Sequence, residues 1–212
     1  MKLLKFRDIL VRLGTTDKET VASIIREYRW LNPSPGDVIL DIGACFGAFT
    51  AWAERLGARV IAIEPMEENY DLLCKNAPEA TCIRAAVVKK TPPVEVLLYL
   101  SNTKSMGSHT LKPTRGRRSV HVPAVTLSGL LDKYKPNKLK VDCEGAEYEL
   151  FLDYHLPRFV RGIVLEYHLN KRWTDRPNAT QMHGELLSQG FTPMVNPRIG
   201  PKNWHTIGAY QR

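Results

Sequence analysis

Residues 38–50 read VILDIGACFGAFT, and the fold follows from how this stretch is divided. Residues 38–41 are apolar and β-branched and end in an acid, which predicts a strand. Gly43 and Gly47 follow in the pattern D-x-G-x-x-x-G. Residues 48–56 then predict a helix, with Gly57 just past its end. Strand, glycine turn and helix in that order form a cradle for a ligand. Glycine lets the backbone bend tightly and lets a ligand approach closely, and the helix start offers free N–H groups. Asp41, at the end of the strand, either holds an ammonium or fixes the loop.

A second acid supports a ligand. Residues 59–64, RVIAIE, predict another strand, and Glu64 ends it about 20 residues after the first glycine. In doubly wound folds an acid at that place accepts hydrogen bonds from ribose hydroxyls. The dinucleotide fingerprint G-x-G-x-x-G is absent, because Ala44, Cys45 and Phe46 separate the two glycines. The loop therefore suits a ligand without a pyrophosphate, with an amino acid on one side and a nucleoside on the other. S-adenosylmethionine has that shape. The plainer alternative is an α/β domain with a structural glycine turn.

The chain has 212 residues and a net charge of +8, with a pI near 9.4. Its length suits one domain. Its composition, 43% hydrophobic and 25% charged, is that of a globular protein and not of a disordered one. The positive charge admits nucleic acid, an anionic membrane or an acidic substrate without choosing among them. Cys45, Cys74, Cys82 and Cys143 form no C-x-x-C pair, which points to reduced thiols in a cytoplasm. No apolar run has the length of a membrane span. Residues 1–14, MKLLKFRDILVRLG, are interrupted by charges and predict a short amphipathic helix. The domain reading is a helical lead-in over 1–35, packed on the domain or closing over its cleft. A main domain over 36–212 follows, with a hairpin inserted at about 92–125.

The rest of the chain alternates. Val21, Ile24, Ile25 and Tyr28 share one face of a helix. A helix over 66–76, a third strand over 81–88 and strand-like runs over 94–100 and 120–125 follow. The loop between those runs carries Ser108 and His109 and then Arg115, Arg117 and Arg118. Long loops in compact domains are often functional; a solvated basic face is the equal alternative. Leu127, Leu130, Leu131 and Tyr134 mark a helix, residues 138–143 a strand, 146–154 a helix, and 162–168 a buried strand. A helix over 181–189 and strands over 191–195 and 203–210 complete a mostly parallel sheet with helices on both faces.

With these segments assigned, the chain resembles the FkbM family of S-adenosylmethionine-dependent methyltransferases. DIGACFGAFT at 41–50, EPMEENYDLLCKN at 64–76 and KVDCEGAEYELF at 140–151 carry the likeness, supported by AAVV at 85–88, VPAVTLSGLL at 122–131 and VLEYH at 164–168. K-x-D-x-E-G-x-E is the most specific of these signals. Cys45 stands where the family usually has a polar residue, often asparagine, and Ser128 where an acid is common. The resemblance implies a seven-stranded, Rossmann-like class I methyltransferase fold and O-methylation of a hydroxyl, often on a sugar or secondary metabolite. The expected cofactor contacts are Asp41, Gly43, Ala44, Phe46, Gly47, Glu64, Pro65, Asn69, Ala86 and Asp142.

Ligands in such sheets sit beyond the C-terminal strand ends. Asp142, Glu144, Glu166 and His168 should meet there. Methyl transfer to oxygen is an in-line displacement, so binding and alignment supply much of the rate. A hydroxyl acceptor also needs a base. Asp142 is the first candidate and His168 the second, because the ordinary imidazole pKa suits neutral pH. Lys140 shares a face with Asp142 and orients it or the acceptor. Glu144 holds the acceptor or ties down the loop, and Ser108, His109 and Glu166 are the expected acceptor contacts. Binding of Mg²⁺ or Mn²⁺ by the same acids is a minority reading. The rival functions are a nucleic-acid methyltransferase and a non-catalytic S-adenosylmethionine-binding protein.

Overall fold

The structure is a computed structural model, and it describes residues 2–89, 94–168, 179–197 and 205–212. The first half runs β1 (Leu3–Phe6), β2 (Ile9–Arg12), α1 (Asp17–Tyr28), β3 (Val38–Ile42), α2 (Ala48–Arg55), β4 (Arg59–Ile63), α3 (Glu67–Asn76), β5 (Thr81–Ile83) and β6 (Ala86–Val88). The second half runs β7 (Glu95–Tyr99), β8 (Ser119–Thr126), α4 (Leu127–Tyr134), β9 (Lys138–Val141), α5 (Glu147–Phe151), β10 (Gly162–His168), α6 (Ala179–Ser188), β11 (Thr192–Val195) and β12 (His205–Gln211).

Seven strands form the main sheet in the order β11-β12-β10-β9-β3-β4-β5. β5, β4, β3, β9 and β10 are parallel neighbours. β12 runs antiparallel to β10, and β11 pairs antiparallel with β12. The parallel strands are apolar on both sides because both of their faces are covered. Alternate residues point to opposite faces. Leu40, Ile42, Ile61, Ile63, Ile163 and Leu165 pack toward α4, α5 and α6. Ile39, Val60, Ala62 and Val164 pack toward α1, α2 and α3. The expected α/β architecture, a mostly parallel seven-stranded sheet with helices on both faces, is what the chain forms.

A three-stranded sheet, β6-β8-β7, stands beside the main one. β7 and β8 pair antiparallel, from Glu95 opposite Pro123 to Tyr99 opposite Ser119. Residues 92 and 93, at the start of the expected insertion, lie outside the described residues, as do residues 203 and 204 of the expected last strand.

Three expectations are corrected. Residues 1–14 form a β-hairpin and not a helix: Arg7 (φ 49°) and Asp8 (φ 65°) make a two-residue turn with both φ values positive. That backbone twist matches the twist of the flanking strands, and Ile9 and Val11 enter the core at period two. The third strand is two strands in two sheets, because the chain leaves the main sheet at Arg84–Ala85 and β6 pairs with β8. The helix expected over 146–154 ends at Phe151, and Asp153 turns left-handed (φ 54°).

Candidate active site

β3 has β4 on one side and β9 on the other, so the chain leaves β3 in one direction and returns on the other side. The crevice at such a switch point is the usual ligand site of an open α/β sheet. A cavity of about 640 Å³ lies there, within the range of roughly 300–1,000 Å³ common for small-molecule sites. Its wall includes Gly43, Glu64, Pro65, Ala86, Ser108, His109, Asp142, Glu144, Glu166 and His168, all singled out from the sequence. Thr16, Glu19, Thr20 and Ser23 bring the start and one face of α1 into that wall. Asp41, Ala44, Phe46, Gly47, Asn69 and Lys140 lie behind it, and each has a supporting contact.

The glycine loop is held from beneath. The Lys140 ammonium donates to the Gly43 carbonyl at 2.7 Å and pairs with Asp41 Oδ1 at 3.0 Å. Asp41 Oδ2 accepts the Thr50 hydroxyl at 2.7 Å. Asp41, fully buried, thus faces protein partners. Burial alone would lower the Lys140 pKa; the Asp41 and Asp142 carboxylates outweigh it and hold the ammonium charged. A Cβ on Gly43 (φ 76°) would lie 1.8 Å from the Asp142 carbonyl oxygen. Gly43 is therefore needed for the close approach of the β3 and β9 ends. A Cβ on Gly47 (φ 87°) would meet Leu73 of α3 at 2.8 Å, so Gly47 serves helix packing. Phe46 is buried, and its carbonyl accepts from Asn76 at 2.8 Å.

Glu64 is 5% exposed and is held by three donors. The backbone N–H groups of Cys45 and Met66 reach it at 2.9 Å each, and the Asn69 amide at 3.3 Å. Burial pushes its pKa up to about 7, with those hydrogen bonds and Lys140 opposing the rise. A buried carboxylate fixed by donors and facing a cavity fits a ligand that brings further hydroxyl donors. Ala85, Ala86 and Val87, beyond it, leave a small-residue wall beside that acid.

At the other end of the cavity the acids surround His168. Its Nδ1 lies 2.9 Å from Glu147 Oε1. Its Nε2 lies 3.4 Å from Glu144, 3.8 Å from Glu166 and 3.9 Å from Asp142. Burial would lower the His168 pKa, but the surrounding carboxylates, Glu147 foremost, raise it well above its ordinary value. An imidazolium has no lone pair for a proton, so the acids that raise the His168 pKa disfavour it as the base relative to Asp142. Burial pushes Glu144 up to about 8, opposed by His168 and helped by Asp142. Asp142 Oδ2 accepts the Tyr28 hydroxyl at 2.9 Å, and the same hydroxyl lies 3.3 Å from Glu166 Oε2. The Lys140 ammonium sits 4.0 Å from Asp142 Oδ2 and 5.3 Å from the Tyr28 ring centre. Asp142, Glu147 and His168 each bring one ligating atom within 4.8 Å of the others. Glu147 Oε1 already meets the Cys143 N–H at 3.0 Å and His168 Nδ1.

The loop after β7 covers the cavity from the side. Ser105, Gly107, Ser108 and His109 line it. The Thr110 hydroxyl donates to the Glu144 carbonyl at 2.6 Å, which ties the loop to the acid cluster. His109 Nδ1 accepts the Ser101 N–H at 3.0 Å, and burial followed by the nearby Arg117 lowers its pKa to about 4. Arg117 donates to the Ser108 carbonyl at 2.8 Å and so braces its own loop. Neither it nor Arg115 or Arg118 is among the lining residues.

Two members of the site escaped the sequence reading. Tyr28 counts there only as an apolar helix residue, although its hydroxyl bridges two carboxylates. Glu147, fully buried, is the last acid of K-x-D-x-E-G-x-E; that motif was the available signal.

The chain matches the model of the methyltransferase FkbM domain over residues 41–193. No curated protein matches it in sequence. Among solved structures it is similar to precorrin-6y C5,15-methyltransferase from Geobacter metallireducens, at 14% identity and TM-score 0.51, covering 100% of this chain and 95% of that one. The C-terminal domain of precorrin-6Y C5,15-methyltransferase from Rhodobacter capsulatus gives 15% identity and TM-score 0.51, covering 95% and 92%. Magnesium protoporphyrin IX methyltransferase from Synechocystis, with bound SAH, gives 12% identity and TM-score 0.50, covering 92% and 82%. Those likenesses support the fold; the family match spans most of the chain and includes both the glycine loop and the acid cluster. The chain belongs to the FkbM methyltransferase domain family and is a methyltransferase.

Proposed function

We propose that the protein is an O-methyltransferase that moves a methyl group from S-adenosylmethionine to a hydroxyl of a small acceptor. The observation that carries this reading is one cavity with two chemically different ends. Glu64 stands at one, and Asp142, Glu144, Glu166 and His168 at the other. Bound S-adenosylmethionine supplies an electrophilic methyl on a sulfonium. The chain's own part is to seat the nucleoside at Glu64, Pro65 and Ala86, and to align the acceptor hydroxyl beside Asp142. Asp142 takes the hydroxyl proton, while Tyr28 holds its other oxygen. Glu144 is the alternative base, since a carboxylate with a pKa near 8 is well matched to a weak acid when ionised. Ser108, His109 and Glu166 contact the acceptor.

A small acceptor is favoured over nucleic acid by the charge of the wall. Although the chain is +8, the described wall carries Glu19, Glu27, Asp142 and Glu166, and Glu64 and Glu144 once ionised, against Arg26 and His168. A polyphosphate strand is repelled by such a surface, whereas a neutral polyol or an amine-bearing sugar is not. We place the enzyme in the cytoplasm, in keeping with its four free cysteines.

The test is transfer of labelled methyl from S-adenosylmethionine to a library of sugars, aminosugars and hydroxylated metabolites. On an accepted compound, Asp142→Asn should lower turnover about 10²–10⁴-fold with cofactor affinity little changed. If Glu144→Gln causes that loss and Asp142→Asn does not, the base is Glu144. Loss of turnover on chelation, restored by Mg²⁺, would instead assign the acids to a metal. Methylation of RNA or DNA alone would overturn the small-acceptor reading.

A further inference from the structure

The reaction described above leaves one buried polar chain unused, and it begins in the N-terminal hairpin. Arg12 is 1% exposed. Its Nε and Nη2 donate to Asp17 at 2.8 and 3.0 Å, and its backbone N–H reaches the same carboxylate at 2.9 Å. Its remaining terminal nitrogen, Nη1, donates to Asn69 Oδ1 at 2.6 Å. The Asn69 amide nitrogen then donates to Glu64 Oε1 at 3.3 Å and to the Met106 carbonyl at 2.9 Å. Asp17 and Asn69 are as buried as Arg12.

The chemistry of this chain has one direction. A guanidinium only donates, so Arg12 forces the oxygen of Asn69 toward itself and the NH₂ group toward Glu64. Both N–H bonds of that amide are then used, one on the cavity acid and one on the loop that lines the cavity. Asn69 cannot turn without leaving Arg12 with a buried, unmatched donor, which is costly. Arg12 and Asp17 lie outside the segment matched by the family model, which starts at residue 41.

We propose that Arg12 is a positioning residue for the cofactor site: acting through Asn69, it fixes the Glu64 carboxylate toward the ribose hydroxyls. This rests on the reading that Glu64 holds a ribose. A purely structural ion pair would fasten the hairpin to α1 with no bearing on which ligand atoms are recognised.

The experiment measures affinity by calorimetry for S-adenosylhomocysteine and for its 2′,3′-dideoxy analogue, in the full chain and in Arg12→Met. The full chain should prefer the hydroxylated ligand. Arg12→Met should weaken S-adenosylhomocysteine about tenfold and leave the analogue nearly unchanged. Should Arg12→Met not fold, because it strands the buried Asp17, Arg12→Lys replaces it. Lysine keeps a cation opposite Asp17 but lacks the fork that also reaches Asn69, so the same selective loss is expected. Equal losses on both ligands, or no loss, would show Arg12 to be structural only and overturn the proposal. If the unmodified protein binds both ligands equally well, the ribose reading of Glu64 fails first, and the proposal with it.

Discussion

Cys45 occupies a left-handed conformation (φ 51°) while its N–H is committed to Glu64. A side chain with a Cβ is strained there, and asparagine is among the residues that tolerate it best. Cys45→Asn should stabilise the protein by about 0.5–1 kcal/mol, read as a rise in Tm. The ionisable residues of the cavity act on stability together. Glu64 and Glu144 have pKa values of about 7 and 8 against an ordinary 4.5, and that of His168 is raised above 6.5. All three bind protons more tightly in the folded chain. Their contribution is thus greatest at low pH and is lost as pH rises through the raised values. Thermal unfolding without ligand should show a lower Tm at about pH 8.5 than at about pH 6. A Glu64→Gln, Glu144→Gln double variant should show a smaller difference.

At the scale of elements, the site depends on how closely β3 and β9 approach. Gly43→Ala places a methyl against the Asp142 carbonyl, at 1.8 Å before any shift. It should cost about 2 kcal/mol or more and abolish cofactor binding. Gly36→Ala is the matched control: Gly36 also has positive φ (87°) but nothing within 4 Å of its Cβ position. It should lose only the conformational part, about 1 kcal/mol, with binding intact; denaturant unfolding compares the two. The parallel strands, the glycine loop and the acids at strand ends were legible because each is written locally, as a doubly buried apolar run followed by a turn and a polar residue. The N-terminal hairpin was not, since residues 3–11 place apolar groups at spacings that fit helix or strand, and the turn Arg7–Asp8 contains no glycine or asparagine. The break at Arg84–Ala85 interrupts an unbroken small-apolar run, and only the tertiary choice of pairing partner decides it. Tyr28 meets Asp142 across 114 positions of sequence, so its role depends on where α1 docks and not on its own helix pattern.

Over the whole molecule, charge is divided by place. The chain is +8, yet the cavity wall is rich in carboxylates, and the arginines of the long loop lie outside it. Under the proposed function it is this distribution of charge, and not the net charge, that bears on the choice of acceptor. Among the described residues no helix is long and apolar enough to cross a membrane. The fold joins Glu64, at the end of β4, to an acid cluster at the ends of β9 and β10, and the proposed function stands on the first of these holding an adenosine. Calorimetric titration with S-adenosylhomocysteine tests this most directly. The account predicts one saturable site, with affinity weakened about ten- to a hundredfold in Glu64→Ala, the loss of a charged hydrogen bond worth about 1.5–3 kcal/mol. A folded protein that gives no heat with S-adenosylhomocysteine or S-adenosylmethionine, or that binds them equally well without Glu64, would contradict it.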